Sequence, residues 1–253
     1  MAIINTFSDT TSINTEANEQ TLITSTGGTA LNFIMSGSTT NGGNQSVILA
    51  GLIYGTITDL GSSAQRDQIS ILATGFASSI TLSGSGNAIT NAGSVATDFF
   101  SSAVSFSEIF GIFTANEVNR VSNSGLIATT ALSSSTYTIQ VAAANTAKTY
   151  INNSGTILSN ASKAISLSDA SDSVRNTGTI FGDVRLGGGS NFFDSTTGSV
   201  HGSIIAGDGS NTIKASNVGN NVTTGAGIDL IWGGTGNDFI DAGGSGDRVL
   251  GGN

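Results

Sequence analysis

Three aspartates, Asp229, Asp238 and Asp247, stand nine residues apart in the segment TGAGIDLIW, GGTGNDFID, AGGSGDRVL. An aliphatic residue follows each by two positions (Ile231, Ile240, Val249), and a glycine precedes each by four (Gly225, Gly234, Gly243). Gly227 and Gly236 stand two places before the first two aspartates, whereas Ser245 takes that place before the third. The register runs back through Asn220 with Val222 and through Asn211 with Ile213. Carboxylates set among glycines at a fixed period offer side-chain and backbone oxygens, the chemistry of oxygen ligation.

Material for acid–base catalysis is thinner. The parts present are His201 (the single histidine), Tyr54, Tyr137, Tyr150, Arg175, Arg185, Lys148 and Lys163. Phe181 occupies the place of His201 one repeat earlier, so His201 reads as a face or corner position; with Arg185 on the same outer face it makes the best catalytic pair. Asp169, Asp172, Asp183 and Asp194 show no paired-carboxylate arrangement and read as solvated turn residues. Trp232 reads as a partly exposed strand residue, with a sugar platform as its functional alternative. The absence of cysteine excludes thiolate metal sites, disulfides and a cysteine nucleophile. Eight Lys and Arg against a net charge of −9 argue against nucleic acid, which needs cations to neutralise phosphate.

The elements that must position these residues are short. The 253 residues include 35 glycines and no proline, although 38% are hydrophobic. Proline removes a ladder donor, so its absence fits a backbone hydrogen-bonded to neighbours nearly throughout. Segments such as SVILAGLI, QISIL, SITLSG, YTIQVA and AISLSD read as strands between Gly, Asn and Ser turns. Only Ser105–Arg120 shows helical spacing, and Gly111 interrupts it. No apolar run approaches the roughly 18 residues of a membrane helix, so the chain is read as not transmembrane.

Self-similarity organises the strands. N-x-G-x-[IVL] begins at Asn91, Asn123, Asn153 and Asn176, with a variant at Thr196, at gaps of 32, 30, 23 and 20 residues. RNTGTIFGDVRLGGGSNFFD aligns with STTGSVHGSIIAGDGSNTIK at an offset of 20. A repeat of this size, with short apolar segments and Gly/Asn corners, predicts an all-β parallel solenoid with aliphatic residues stacked inside. Asparagines at matching corners are expected to ladder, glycines to supply positive φ, and the longer gaps to be insertions at one corner. The expected division is an irregular solenoid or cap region over 1–90, a solenoid of 20–32-residue coils over 91–214, and nonapeptide coils over 215–253.

The C-terminal nonapeptides resemble the repeats-in-toxin (RTX) family, whose repeat is G-G-x-G-x-D-x-U-x with U a large aliphatic residue. GGTGNDFID matches in full, TGAGIDLIW lacks the first glycine, and AGGSGDRVL departs at Ser245. The resemblance implies a β-roll of two nonapeptides per turn that binds Ca2+, a hard cation taking six to eight oxygens. Its ligands would come from Asp229, Asp238, Asp247 and Asn220 and from the turns of Gly225, Gly227, Gly234, Gly236 and Gly243. Asp229 would share an edge with Asp247, and Asn220 with Asp238. Ions between turns would neutralise stacked carboxylates, and this segment would be unfolded without them. The upstream turns, with Asn191 and Asn211 in place of Asp, read as metal-free corners.

The resemblance also implies type I secretion without an N-terminal signal peptide, and folding outside the cell where calcium is plentiful. The ending GGN, in mid-repeat, reads as that of a truncated or longer protein. The function expected is a secreted, calcium-dependent structural or adhesive solenoid (surface layer, biofilm matrix fibre or adhesin segment), not an enzyme. Head-to-tail self-association into filaments is expected from exposed strand edges, with cell-surface or matrix polysaccharide as a second partner. The alternative is a polysaccharide lyase or epimerase, or its accessory module. An ice-binding face would need a recurring Thr-x-Thr ladder, and Thr56/Thr58 and Thr136/Thr138 do not recur at the coil period.

Overall fold

The computed structural model describes residues 2–4, 13–15, 20–23, 30–35, 45–50, 52–59, 66–83, 86–97, 104–107, 118–130, 136–143 and 145–252. They form an all-β parallel solenoid, with no helix among the described residues. One sheet has twelve strands and the other fourteen, and each strand pairs with its counterpart one coil away. Sheet 1 ends Val118–Asn123, Lys148–Asn153, Ser173–Asn176, Phe192–Asp194, Thr212–Lys214, Leu230–Trp232, Arg248–Leu250. Both sheets cross residues 90/91 and 214/215 without a break.

Alternation explains the interior. One column of sheet 1 reads Val47, Ile69, Ile89, Val121, Ile151, Val174, Phe193, Ile213, Ile231, each aligned with the next and all but fully buried. Sheet 2 supplies a facing column, Ile80, Val104, Ile139, Ile165, Val184, Ile204, Val222. A second column beside it, Ala77, Val95, Ile127, Ile157, Ile180, Val200, makes these coils three-sided. Burying one such side chain is worth about 1.5–3 kcal/mol, and only stacked neighbours can bury it.

The Asn-x-Gly corners form two ladders at once. Asn91 Nδ2 donates to Asn123 Oδ1 (2.8 Å), Asn123 to Asn153 (2.7 Å), Asn153 to Asn176 (2.7 Å), and Asn176 to Ser195 Oγ (2.9 Å). The glycines stack beside them, and a Cβ on Gly125, Gly155 or Gly178 would collide with the glycine carbonyl of the coil before. These three are not in the positive-φ region, so the expected conformational reason is corrected: close backbone approach requires them.

Residues 98–103 and 108–117, where the expected insertion of the Asn91–Asn123 coil falls, lie outside the described residues. Within the weak helix signal, Val104–Ser107 and Val118–Asn123 are strands, and 108–117 lies outside the described residues.

After Lys214 the coil becomes two-sided. The turn 215–220 replaces the strand that would continue the Val200 column. Ser216 Oγ accepts the Val200 N–H (3.4 Å), and Asn220 Nδ2 donates to the Val200 carbonyl (2.9 Å), so polar groups cap the column. Losing one side shortens the coil to 18 residues, the spacing of the aligned residues Ile213, Ile231 and Val249.

Candidate metal centre

The aspartates of the nonapeptides continue a corner ladder that runs far upstream. Backbone N–H groups at this corner donate to the Asx side chain of the next coil, Asp67 to Asn87 (3.1 Å), Asp172 to Asn191 (2.9 Å), Asn191 to Asn211 (3.1 Å), Asn211 to Asp229 (2.7 Å) and Asp229 to Asp247 (2.9 Å), with Thr149 interrupting the series. The ladder explains why a short acceptor recurs before each strand of sheet 1: it satisfies a donor that the turn leaves without a partner. On the opposite corner the Asn220 N–H donates to Asp238 Oδ1 (2.8 Å). Asp229 with Asp247, and Asn220 with Asp238, thus stack in pairs.

A carboxylate has two oxygens, and the ladder uses one. Asp229 is 1% exposed. Its Oδ1 accepts both the N–H and Nδ2 of Asn211, while Oδ2 is buried without a partner. Asp238 Oδ2 is likewise buried and unpartnered. Such atoms are costly to bury and call for a counter-charge or donor.

A glycine leaves space beside Asp238 Oδ2. A Cβ on Gly233 would lie 2.6 Å from Asp238 Oδ2 and 2.8 Å from the Gly251 carbonyl oxygen, so both oxygens face the volume that a side chain would fill. At the other edge a Cβ on Gly243 would meet the carbonyl oxygens of Thr224 and Gly225. Gly225 leaves room for Asp208 Oδ1, Gly234 for the Ser216 carbonyl, and Gly227 and Gly236 for the backbones of Gly209 and Gly219. Among the described residues there is no cluster of three or more His, Cys, Asp or Glu. An ion here would therefore draw most of its ligands from carbonyl oxygens, which suits calcium. The orphaned Asp238 oxygen beside the Gly233 cradle fits such a cation.

Asn220 is placed differently from the expectation that it ligates a metal. Its Oδ1 accepts the Ser216 N–H (3.0 Å) and hydroxyl (2.7 Å), and its Nδ2 is committed to Val200. Its side chain joins the cap on the Val200 column. Ser245 has φ 105°, at the turn position where Gly209 and Gly227 have 114° and 138°, so a side chain sits where only glycine is unstrained.

Asp172 corrects the reading of the upstream acids as solvated. It is 2% exposed, with Oδ1 accepting the Thr149 N–H (2.7 Å) and Oδ2 unpartnered. Burial pushes its carboxyl up to about 7, against the Thr149 bond and Lys148, with Asp169 adding a smaller push. Asp169 Oδ1 and Asp183 Oδ1 accept the N–H groups of Gly188 and Ser203 in the next coil. Asp208, which the nonapeptide pattern did not single out, accepts the Ala226 N–H (2.8 Å); the turn AGDGSN was its only signal.

The catalytic pair is not assembled. His201 stacks on Phe181 with ring centroids 4.9 Å apart. Arg185 aligns with Ile205, beyond Gly182 and Asp183 on the other half of the same strand. Thr136 and Thr138 are buried and form no surface ladder. In comparisons with family models, curated proteins and solved structures, no match to this chain is found.

Proposed function

We propose that the chain is a secreted, RTX-type β-solenoid that calcium stiffens, with a structural or adhesive role outside the cell. The observation that carries the reading is the pair of buried, unpartnered oxygens Asp229 Oδ2 and Asp238 Oδ2 at the turns of the C-terminal coils. Asp238 with the Gly251 carbonyl would hold one ion, and Asp229 and Asp247 with the carbonyls of Thr224 and Gly225 another. When bound, calcium supplies positive charge and oxygen coordination. The carboxylates fix the corner, the glycines keep it open, and Ile231 of sheet 1 and Ile240 of sheet 2 extend the apolar core. Binding free energy is then folding free energy, and a chain unfolded at low calcium can fold where calcium is abundant.

The test is circular dichroism of the chain during calcium titration and then chelation. A saturable gain of β signal reversed by chelator is expected; an identical spectrum throughout overturns the reading. Head-to-tail assembly belongs to the same proposal. Light scattering should rise with calcium, and a monomer at millimolar calcium and high protein concentration removes the filament.

A further inference from the structure

The outward side of sheet 1 differs in charge from the rest of the chain. The chain has eight Lys and Arg and a net charge of −9. Among the described strands of sheet 1 stand five of those cations, Arg120, Lys148, Arg175, Lys214 and Arg248, against one acid, Asp194. All five alternate with buried residues, or align with positions that do, and so face outward.

Aromatic rings share this face on every second coil: Tyr150, Phe192 and Trp232. The cations lie against them, Arg120 5.6 Å from the Tyr150 centroid, Arg175 4.9 Å from Phe192, and Lys214 5.4 Å from Trp232. Such contacts hold long side chains in place, so less freedom is lost when a ligand arrives. Asp194 is engaged by Lys214 at 3.7 Å. Burial works to raise its carboxyl, but two hydrogen bonds donated by Thr196, together with the positive charges of Lys214 and Arg175, outweigh it and hold it below the ordinary value. Alongside run two shallow depressions. One of about 310 Å³ is lined by Ser122, Asn152, Arg175 and Thr177; the other, of about 520 Å³, by Thr196, Lys214, Trp232 and Thr235.

We propose that this face is a binding track for an acidic polysaccharide laid across the coils. Hydroxyls and amides meet sugar hydroxyls, rings meet sugar faces, and cations meet carboxylates. Cation density separates this ligand from nucleic acid. The five cations span six strand spacings, roughly 29 Å at about 4.8 Å each, a mean separation of roughly 7 Å. Duplex DNA presents a charge about every 1.7 Å, far denser than the track, whereas a glycan with one carboxylate per sugar or disaccharide is sparse enough to match. The proposal rests on the adhesive reading for its purpose, and names the partner.

The experiment measures binding of the full chain, in calcium buffer, to a hyaluronan oligosaccharide, to dextran of similar length and to a short DNA duplex. Hyaluronan is expected to bind at least tenfold more tightly than either of the others. R175Q with K214Q should weaken it tenfold or more, and W232A severalfold. K163Q with R185Q, on sheet 2, should change it less than twofold. Trp232 is the only tryptophan, so its fluorescence in the unaltered chain should shift with hyaluronan, independently of any variant's folding. DNA or dextran binding as tight as hyaluronan, equal damage from the sheet 2 pair, or binding without a fluorescence change overturns the proposal. None of these results alters the calcium titration, so the two readings fail separately.

Discussion

The upstream coils and the last two coils solve the same problem with different side chains. Both fill corners where stacked coils meet, but at different edges: the asparagine column ends the strands of sheet 1, and the aspartate column precedes them. Upstream, the 91–123–153–176 column uses asparagine, which donates and accepts, so each amide passes a hydrogen bond to the next and no charge accumulates. The corner ahead of sheet 1 mixes asparagine with Asp67 and Asp172 upstream and ends in the stacked aspartates Asp229 and Asp247. A carboxylate only accepts, so one oxygen is left over, and the charge repeats about every 4.8 Å. At an effective dielectric near 20, two such charges repel by roughly 3 kcal/mol. The amide column carries no charge, whereas stacked carboxylates call for a counter-charge.

Removing divalent ions should separate the two regions most sharply. In chelator the amides of Ile231 and Ile240 should exchange freely, while those of Val121, Ile151 and Val174 stay protected in hydrogen-exchange measurements. Uniform loss of protection, or none, would erase the contrast.

Asp172 sharpens it further, being a buried aspartate among the upstream coils. Its folded value of about 7 lies above the ordinary 3.8, so the folded chain binds the extra proton between those pH values. The stability from this proton is complete below pH 3.8 and is lost as pH rises to about 7, roughly 4 kcal/mol in all. Asp172→Asn should flatten that slope in urea melts at pH 4, 5.5 and 7; an unchanged slope would show the proton lies elsewhere.

Breaking the amide column should cost about 2–3 kcal/mol at any calcium concentration. Asn153→Ala removes the acceptor for Asn123 and the donor for Asn176, leaving buried groups short of partners. A calcium-dependent cost, read from melts with and without chelator, would contradict the separation.

Asp229→Asn should do the converse. The amide can keep the bond to the Asn211 N–H but loses the charge. In chelator stability should be unchanged or higher; at a hundredfold excess over the dissociation constant, up to about 2.7 kcal/mol of calcium-linked stabilisation should vanish. Equal calcium response in both chains would refute the assignment of Asp229.

The smallest effect is expected at the last turn. Ser245→Gly relieves a φ of 105° and should stabilise the calcium-bound chain by about 1 kcal/mol, visible as a modest rise in melting temperature. A fall would mean that the serine hydroxyl outweighs the strain.

Periodicity made much of this legible. The offset of 20 aligned Ile180 with Val200 and Val184 with Ile204, and these pairs are neighbours in the sheets. The nine-residue spacing placed Asp229 beside Asp247 because 18 residues complete a two-sided coil. Asp172 escaped notice because burial of a turn residue depends on how the next coil covers it. Arg185 and His201 looked close because sequence distance does not show that Gly182 and Gly202 divide the strand.

Chain chemistry by itself determined the parallel coil, since absent prolines, recurrent Asn-x-Gly corners and aliphatic spacing admit little else. Tertiary structure alone decided which oxygens are left without partners and which cations gather on one face. Both depend on residues from successive coils meeting about 4.8 Å apart, and the register that brings them together is settled only when the coils stack.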